Sequence, residues 1–345
     1  MVFPIGRGAR SSPRCTTWRG RRSPSSTRLS LDGRGALPST HHSKPVRQPM
    51  ANAKTGPGVV DTSDVGVLSI AKTTLIDTRF AMAYAAGIND ANPAYFDDLA
   101  AGGVKVHPGI VFSLQWPSRF RPDQTPNPRA APFGVHASTD LRIHRPFRTG
   151  EAITTQGMVI GKRQIGPGVY NVDRYRMTAS NGELVAELYY NGITRGATLD
   201  GPDAIIDDEP AWPALASAGD TVLWREELPI TLHAAQQYTE CARIYNPIHT
   251  EPSVAKAAGL PAIILHGSAT KAISLSAVIN RCFGGDPARI TRLCGQLRAM
   301  VLMNTTIAVE GMAEEIVDGK KRVLFRTVTE DGQRAVSNGI VCGHA

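Results

Sequence analysis

The order of patterned segments along this chain occurs twice, and a repeat of that kind limits the fold more than any figure of composition. In the first half a helical pattern over 78–87 leads through Asn92-Pro93 to a second helical segment after His107-Pro108-Gly109,. Four strand-like stretches follow at 137–144, 152–162, 170–179 and 184–195, parted by turns such as Gly166-Pro167-Gly168 and Ser180-Asn181-Gly182,. The second half runs the same course: a helix over 232–243, the turn Asn246-Pro247, a short helix over 253–258 and a long apolar helix over 267–280. Strand patterns at 293–300, 305–310, 314–318 and 322–329 close it, with 335–342 as a fifth. A long helix laid across an antiparallel sheet, made twice, is an α+β architecture. Residues 65–195 and 225–345 are therefore expected to be two domains. The segment 196–224, with its prolines and Asp207-Asp208-Glu209-Pro210, has the composition of a linker,.

With 345 residues and 42% hydrophobic side chains, the chain can bury a core in both halves,. No run approaches the roughly 18 apolar residues that a membrane helix needs, so no membrane span is expected. The net charge of +8 belongs to the first 49 residues. Ten of the 38 Lys/Arg and one of the 30 acids, Asp32, fall there, leaving 28 basic against 29 acidic side chains in the rest. A near-neutral folded part argues against a nucleic-acid partner. Residues 1–60, rich in Arg, Ser, Gly and Pro, are expected to form a disordered basic extension. We read translation from Met50 as a simpler account of this stretch than an organelle leader, and so expect a cytoplasmic protein, with organelle targeting as the alternative. Cys15, Cys241, Cys282, Cys294 and Cys342 are odd in number and lack metal-ligand spacing, which fits buried thiols in a reducing compartment and no metal site,.

Chemistry is most visible in Tyr245-Asn246-Pro247-Ile248-His249-Thr250-Glu251-Pro252, followed by Ala257-Ala258-Gly259-Leu260-Pro261 and Ile264-Leu265-His266-Gly267. This string resembles the signature of the MaoC-like (R)-specific enoyl-CoA hydratases in order and spacing over about twenty-five residues. The first half carries a weaker echo, Asn89-Asp90-Ala91-Asn92-Pro93-Ala94-Tyr95. It also holds Asp140-Leu141-Arg142-Ile143-His144-Arg145-Pro146, running on to Gly150-Glu151, which is similar to the family's strand before its Arg-Pro bend. The resemblance covers the chain after about residue 65. It implies two fused hot-dog domains, each a helix wrapped by an antiparallel sheet, packed as a pseudo-dimer with their sheets joined edge to edge. It further implies an acyl-CoA or acyl-carrier-protein thioester as substrate, hydration or dehydration as reaction, and no cofactor. A homo-oligomer is compatible with it.

Adding water across an α,β-unsaturated thioester needs a group that deprotonates the water, a proton for the α-carbon, and a donor for the charge growing on the thioester oxygen. Imidazole suits the first task near neutral pH. His249, held by the Asn246-Pro247 turn, is the expected base. A backbone N–H at a helix start suits the last task, and the resemblance assigns it to Gly267. Tyr245, Arg243, His266 and Ser268 flank these groups and are expected to contact substrate, with His266 serving as a cap or packing residue as well. His107 and His144, beside Pro108 and Arg145, read as structural. The adjacent acids Asp97-Asp98, Glu226-Glu227 and Glu314-Glu315 cannot share one face and read as solvated surface.

One departure bears on mechanism. The family pattern Gly-Asp-x-Asn-Pro-x-His places an acid five residues before the His, and that position is Ile244, with Arg243 in place of Gly. In the first half Asp90 matches the acid while Tyr95 replaces the His. Three accounts follow: His249 works with another acid, Glu251 or Asp90; the protein carries out a different thioester reaction such as hydrolysis; or it is a noncatalytic thioester-binding or assembly subunit.

Overall fold

The computed structural model describes residues 58–119, 133–215 and 219–345. Residues 1–57, with Cys15, and residues 120–132 lie outside the described residues, whereas Val59–Val60, at the end of the expected disordered extension, form a short strand. The first half comprises β1 (Lys72–Ile76), α1 (Thr78–Gly87), α2 (Val111–Gln115), β2 (Gly134–Ile143), β3 (Glu151–Ile165), β4 (Gly168–Ala179) and β5 (Leu184–Arg195). The second comprises β6 (Trp224–Ile230), α3 (Ala234–Ala242), α4 (Pro252–Ala257), α5 (Gly267–Cys282), β7 (Ile290–Leu297), β8 (Thr305–Val317), β9 (Lys320–Thr329) and β10 (Arg334–His344). Asp77 starts α1 by accepting the Phe80 N–H at 2.6 Å,.

These strands make one antiparallel sheet in the order β1-β3-β4-β5-β2-β7-β10-β9-β8-β6. From the centre outward, β2-β5-β4-β3-β1 is matched element for element by β7-β10-β9-β8-β6. The expected edge-to-edge join is the β2–β7 pairing, Ser138↔Gln296 through Arg142↔Arg292. Every residue of α5 from 269 to 279 is buried, because the sheet curls around this helix,. Even Lys271 is enclosed, with its amine donating to the Gly295 carbonyl at 2.9 Å and burial pulling its pKa well below the ordinary lysine range,. The counterpart of α5 in the first half is α2, only five residues long and flanked by the 3₁₀ turns Pro108–Ile110 and Trp116–Ser118.

Three details depart from the sequence reading. The stretches at 305–310 and 314–318 are one strand, β8, with a register shift at Gly311/Ala313. Gly311 is there because the Trp224 indole lies where a Cβ would be, so the glycine marks a close approach and not a strand break,. The edge strands β1 and β6 have no counterpart in the sequence reading. The expected linker, over residues 196–215, is strapped to the outer face of the sheet. Thr198–Leu199 pairs with Val59–Val60, Ala204–Ile205 pairs with β3, Asp207 meets Arg174, and Trp212 packs against Cys294 and Ile340.

A pseudo-two-fold axis relates the halves where α1 packs on α3. The Tyr84 and Tyr238 hydroxyls lie 3.4 Å apart across it, and the two residues are 154 positions apart in sequence. The same offset pairs Asn89 with Arg243, and both are left-handed, with φ of 56° and 58°. Arg243 thus occupies a backbone conformation that glycine takes without cost. Replacing Arg243 by Gly should leave the protein about 1–2 kcal/mol more stable than replacing it by Ala, both changes removing the same side-chain contacts. Urea denaturation of the two variants checks this; equal midpoints would refute it.

Candidate active site

Local structure fixes His249 in position and tautomer. Asn246 caps the 3₁₀ turn Pro247–His249, its side-chain oxygen accepting a long bond of 3.4 Å from the Ile248 N–H,. The His249 Nδ1–H donates to the Ile264 carbonyl at 2.8 Å. A carbonyl only accepts, so the neutral ring keeps its lone pair on Nε2. This ring stacks on His266 with centroids 3.7 Å apart, and His266 Nε2 faces the Thr239 hydroxyl at 3.2 Å. Burial lowers the His249 pKa to about 4, opposed by the Ile264 carbonyl,. Burial, and then the neighbouring His249, push His266 down to about 2, with the Ile244 carbonyl opposing. Both rings are neutral at physiological pH.

The two histidines open onto a cavity of about 470 Å³ lined by both halves. Gly267, the first residue of α5, sits in its wall. A side chain there would strike Leu297, so the close packing at this point admits only glycine. The first amides of a helix have no intrahelical acceptor and lie at the positive end of its dipole, which makes this wall a donor for an oxyanion.

Of the residues singled out in the sequence, Asn246, His249, His266, Gly267 and Ser268 all line the cavity, as does Ile244, which is 4% exposed. Arg243 and Tyr245 do not. The left-handed turn sends the Arg243 guanidinium over the Phe80 ring at 4.0 Å, and Tyr245 is 57% exposed. Any contact they make with substrate would lie outside this cavity wall. Neither proposed acid partner lines the cavity either. Glu251 is exposed at the start of α4, without even a capping bond. Asp90 is buried in the first half, accepting the Asn92 N–H at 2.9 Å and facing His107 and Tyr95. Among the described residues no Asp or Glu lines this cavity. His107 is structural, stacked on Tyr84 with its Nδ1 accepting the Gly109 N–H at 3.0 Å, and His144 sits 3.6 Å from Glu187 at the surface.

Sequence reasoning missed His136, Tyr190 and Gln115, which the first half contributes to the cavity. His136 Nε2 lies 3.1 Å from the Ser138 carbonyl and 2.8 Å from the Thr139 hydroxyl. Its Nδ1 lies 3.6 Å from where a Gly267 Cβ would be. Its ring stacks on Tyr190 at 3.9 Å, and burial, then Lys271, hold its pKa well below that of free imidazole. No motif marks these residues; only the joining of the two sheets carries β2 to the start of α5.

Comparison with known proteins agrees with this geometry. Residues 214–333 match the MaoC like domain. The chain is 32% identical over 214 residues to Enoyl-CoA hydratase 2, peroxisomal, of Arabidopsis thaliana, covering 60% of this chain and 67% of the relative. The chain belongs to the MaoC-like hydratase family. A MaoC-like dehydratase from Phytophthora capsici shares the fold with a TM-score of 0.68 at 22% identity, over 82% of this chain and 97% of that one. A double hot-dog protein of Mycobacterium tuberculosis aligns with a TM-score of 0.52 at 14% identity, over 80% of this chain and 95% of that one. This MaoC-like chain is thus a double hot-dog, α+β protein. No helix among the described residues is long and apolar enough to cross a membrane.

The depressed imidazole pKa values make stability depend on pH. Between pH 6.5 and about 4 the unfolded chain binds protons at His249 and His107 that the folded chain does not, since both are held at about 4 when folded,. Stability should therefore fall as pH drops below 6.5 and be independent of these groups above pH 7. A melting temperature that stays constant or rises from pH 7 to 5 would contradict this.

Proposed function

We propose that this chain hydrates α,β-unsaturated acyl thioesters, or dehydrates the corresponding β-hydroxyacyl thioesters, with His249 as its proton-handling group. Membership of the MaoC-like hydratases supports the reaction class. The observation that supports the assignment is the His249 tautomer: the Ile264 carbonyl holds the proton on Nδ1, leaving Nε2 as a base in a cavity walled by Gly267. In the hydration direction Nε2 takes a proton from water as its oxygen bonds to the β-carbon. The π electrons move toward the thioester oxygen, which the Gly267 N–H holds, and the α-carbon then takes a proton as the double bond is lost. Because no carboxylate lines the cavity among the described residues, the same imidazole returns that proton, so both additions occur on one face. The free thiols Cys241, Cys282, Cys294 and Cys342 fit a reducing compartment, the cytoplasm or an organelle,.

A second reading, a thioester-binding or assembly protein without turnover, is favoured by Ile244 itself, an apolar residue where the family places its acid. His249→Ala separates the two. It should lower the rate of enoyl-CoA hydration by about 100- to 10,000-fold while retaining binding of a saturated analogue, since most contact area belongs to the acyl chain and carrier arm. Loss of conjugated double-bond absorbance, measured with short, branched and long enoyl thioesters, reports the rate. Wild-type protein that binds all of them and turns over none supports the second reading.

Ile244→Asp tests the missing acid. A carboxylate beside the imidazoles favours their protonated forms, so the acidic limb of kcat/KM should move upward from about 4,. Turnover should rise, and stability should fall because the new charge is buried. An unmoved limb would show that position 244 does not act on His249.

A further inference from the structure

The proposed reaction gives the thioester oxygen one donor, the Gly267 N–H, and an oxyanion has room for more than one hydrogen bond. His136 stands beside that donor. Its Nδ1 lies 3.6 Å from the point a Gly267 Cβ would occupy, and both residues line the cavity. The ring reaches this place across the seam, from β2 of the first half to the start of α5 in the second. Stacking on Tyr190 at 3.9 Å fixes its plane. Two oxygens meet its far nitrogen, Nε2: the Thr139 hydroxyl at 2.8 Å and the Ser138 carbonyl at 3.1 Å. The carbonyl only accepts, whereas the hydroxyl both donates and accepts. Thr139 is fully buried, and among the described residues its hydroxyl meets no acceptor other than Nε2.

We propose that His136 is a second donor to the thioester oxygen: with substrate bound, Nδ1 carries the ring proton and makes a hydrogen bond to that oxygen beside the Gly267 N–H. The inference rests on the reading of this cavity as the thioester site. Counting partners selects the tautomer. With the proton on Nε2, the Thr139 hydroxyl hydrogen is buried without an acceptor, and the Nδ1 lone pair faces the oxygen on which charge grows. With the proton on Nδ1, Thr139 donates to Nε2 and Nδ1–H meets the oxyanion. Only the Ser138 carbonyl, at the longer distance, is then left without a bond from the ring. A neutral imidazole polarises a carbonyl in this way when its surroundings keep it from ionising, and burial does so for His136. No proton changes hands at this ring. His249 performs the transfers, while His136 stays neutral and Thr139, which does not touch substrate, is a positioning residue.

The carbonyl stretch of a bound, unreactive thioester reads this independently of turnover. Infrared difference spectra of hexanoyl-CoA, labelled with carbon-13 at the thioester carbonyl, should place the band lower in the complex than in the free ligand. His136→Phe, which keeps a ring against Tyr190, and Thr139→Val should each return the band toward the free position. Thr139→Ser, which keeps a hydroxyl, should leave it low. With an enoyl-CoA substrate, His136→Phe should lower kcat by about 100- to 1,000-fold with KM little changed, because the bond strengthens as charge develops. A band equally low in wild type, His136→Phe and Thr139→Val would overturn the proposal and leave the thioester reading standing. So would an unshifted band in the wild type. Failure of the wild type to bind hexanoyl-CoA would overturn both. Ring nitrogen-15 spectra of the wild-type complex decide the matter even where a variant folds poorly: a proton on His136 Nδ1 supports the proposal, and a proton on Nε2 refutes it.

Discussion

Along the seam where β2 meets β7, Ser138 to Arg142 run antiparallel to Gln296 to Arg292. Each half alone would end in an open strand edge here, and the pairing satisfies both rows of backbone groups at once. A side-chain lock sits on the same strands. Arg292 donates to both carboxylate oxygens of Asp140, at 2.8 and 2.6 Å, and to the Ala211 carbonyl at 2.8 Å, while Asp140 is only 1% exposed. A buried pair of this kind is weak evidence for net stability, but removing one partner typically costs about 3–5 kcal/mol. A slip of one residue would turn every side chain of β2 to the other face. The seam therefore decides where His136, two residues before Ser138, and Leu297, one after Gln296, stand relative to Gly267. The site depends on a contact between halves that neither half contains.

Duplication explains why the two ends of the molecule differ chemically while sharing a backbone. Asn89 and Arg243 both turn left-handed, and Asn92 and Asn246 both cap the following 3₁₀ turn. The side chains that followed have diverged. In the first half Tyr95 is fully buried beside His107, and its hydroxyl and Asp90 Oδ2 have no hydrogen-bond partner among the described residues. Burial, then Asp90, raises the Tyr95 pKa well above the ordinary phenol range, so the residue is a neutral plug and not a base,. In the second half the imidazole remains and the carboxylate is Ile244. The separation of acid from base between the halves is a difference of side chains on a common frame, and each change makes its own cluster more self-contained.

Much of this was legible in the sequence. The α1 range, the β4 and β5 boundaries and the α5 start emerge from periodicity and turn residues, because those elements have one apolar face or none exposed. The Asn-Pro turns and the Gly267 helix start are local and carry short-range signals. The edge strands β1 and β6 were invisible because exposed strands need little alternation. β8 reads as two strand patterns, 305–310 and 314–318, because its middle carries Gly311, whose bare Cα makes room for Trp224 from the neighbouring strand. The site was legible only where it is local. Asn246, His249, His266, Gly267 and Ser268 reach the cavity together because they belong to one folded string. Arg243 and Tyr245 lie in the same string but point away, since a left-handed residue reverses the chain at that point. His136, Gln115 and Tyr190 reach the cavity through long-range packing, which leaves no spacing to read.

Electrostatically the cavity is unusual in containing several imidazoles and no carboxylate among the described residues. Desolvation settles their state: His249, His266 and His136 are all held neutral, and the buried Lys271 amine behind α5 is pulled the same way,. Under the proposed reaction, a negative charge developing on a thioester oxygen would meet no carboxylate of the cavity wall among the described residues, and the arginines of that wall are Arg195 and Arg298. Its stabilisation falls to the oriented amides at the start of α5, whose interaction is strengthened because water is scarce around them. The same burial makes His249 a weaker base than free imidazole while keeping nearly all of it in the basic form at neutral pH. A carboxylate at position 244 would shift that balance by stabilising the imidazolium that forms as water is deprotonated. On the proposed reading, Ile244 gives that imidazolium no counter-charge, and the cavity wall supplies no other carboxylate among the described residues.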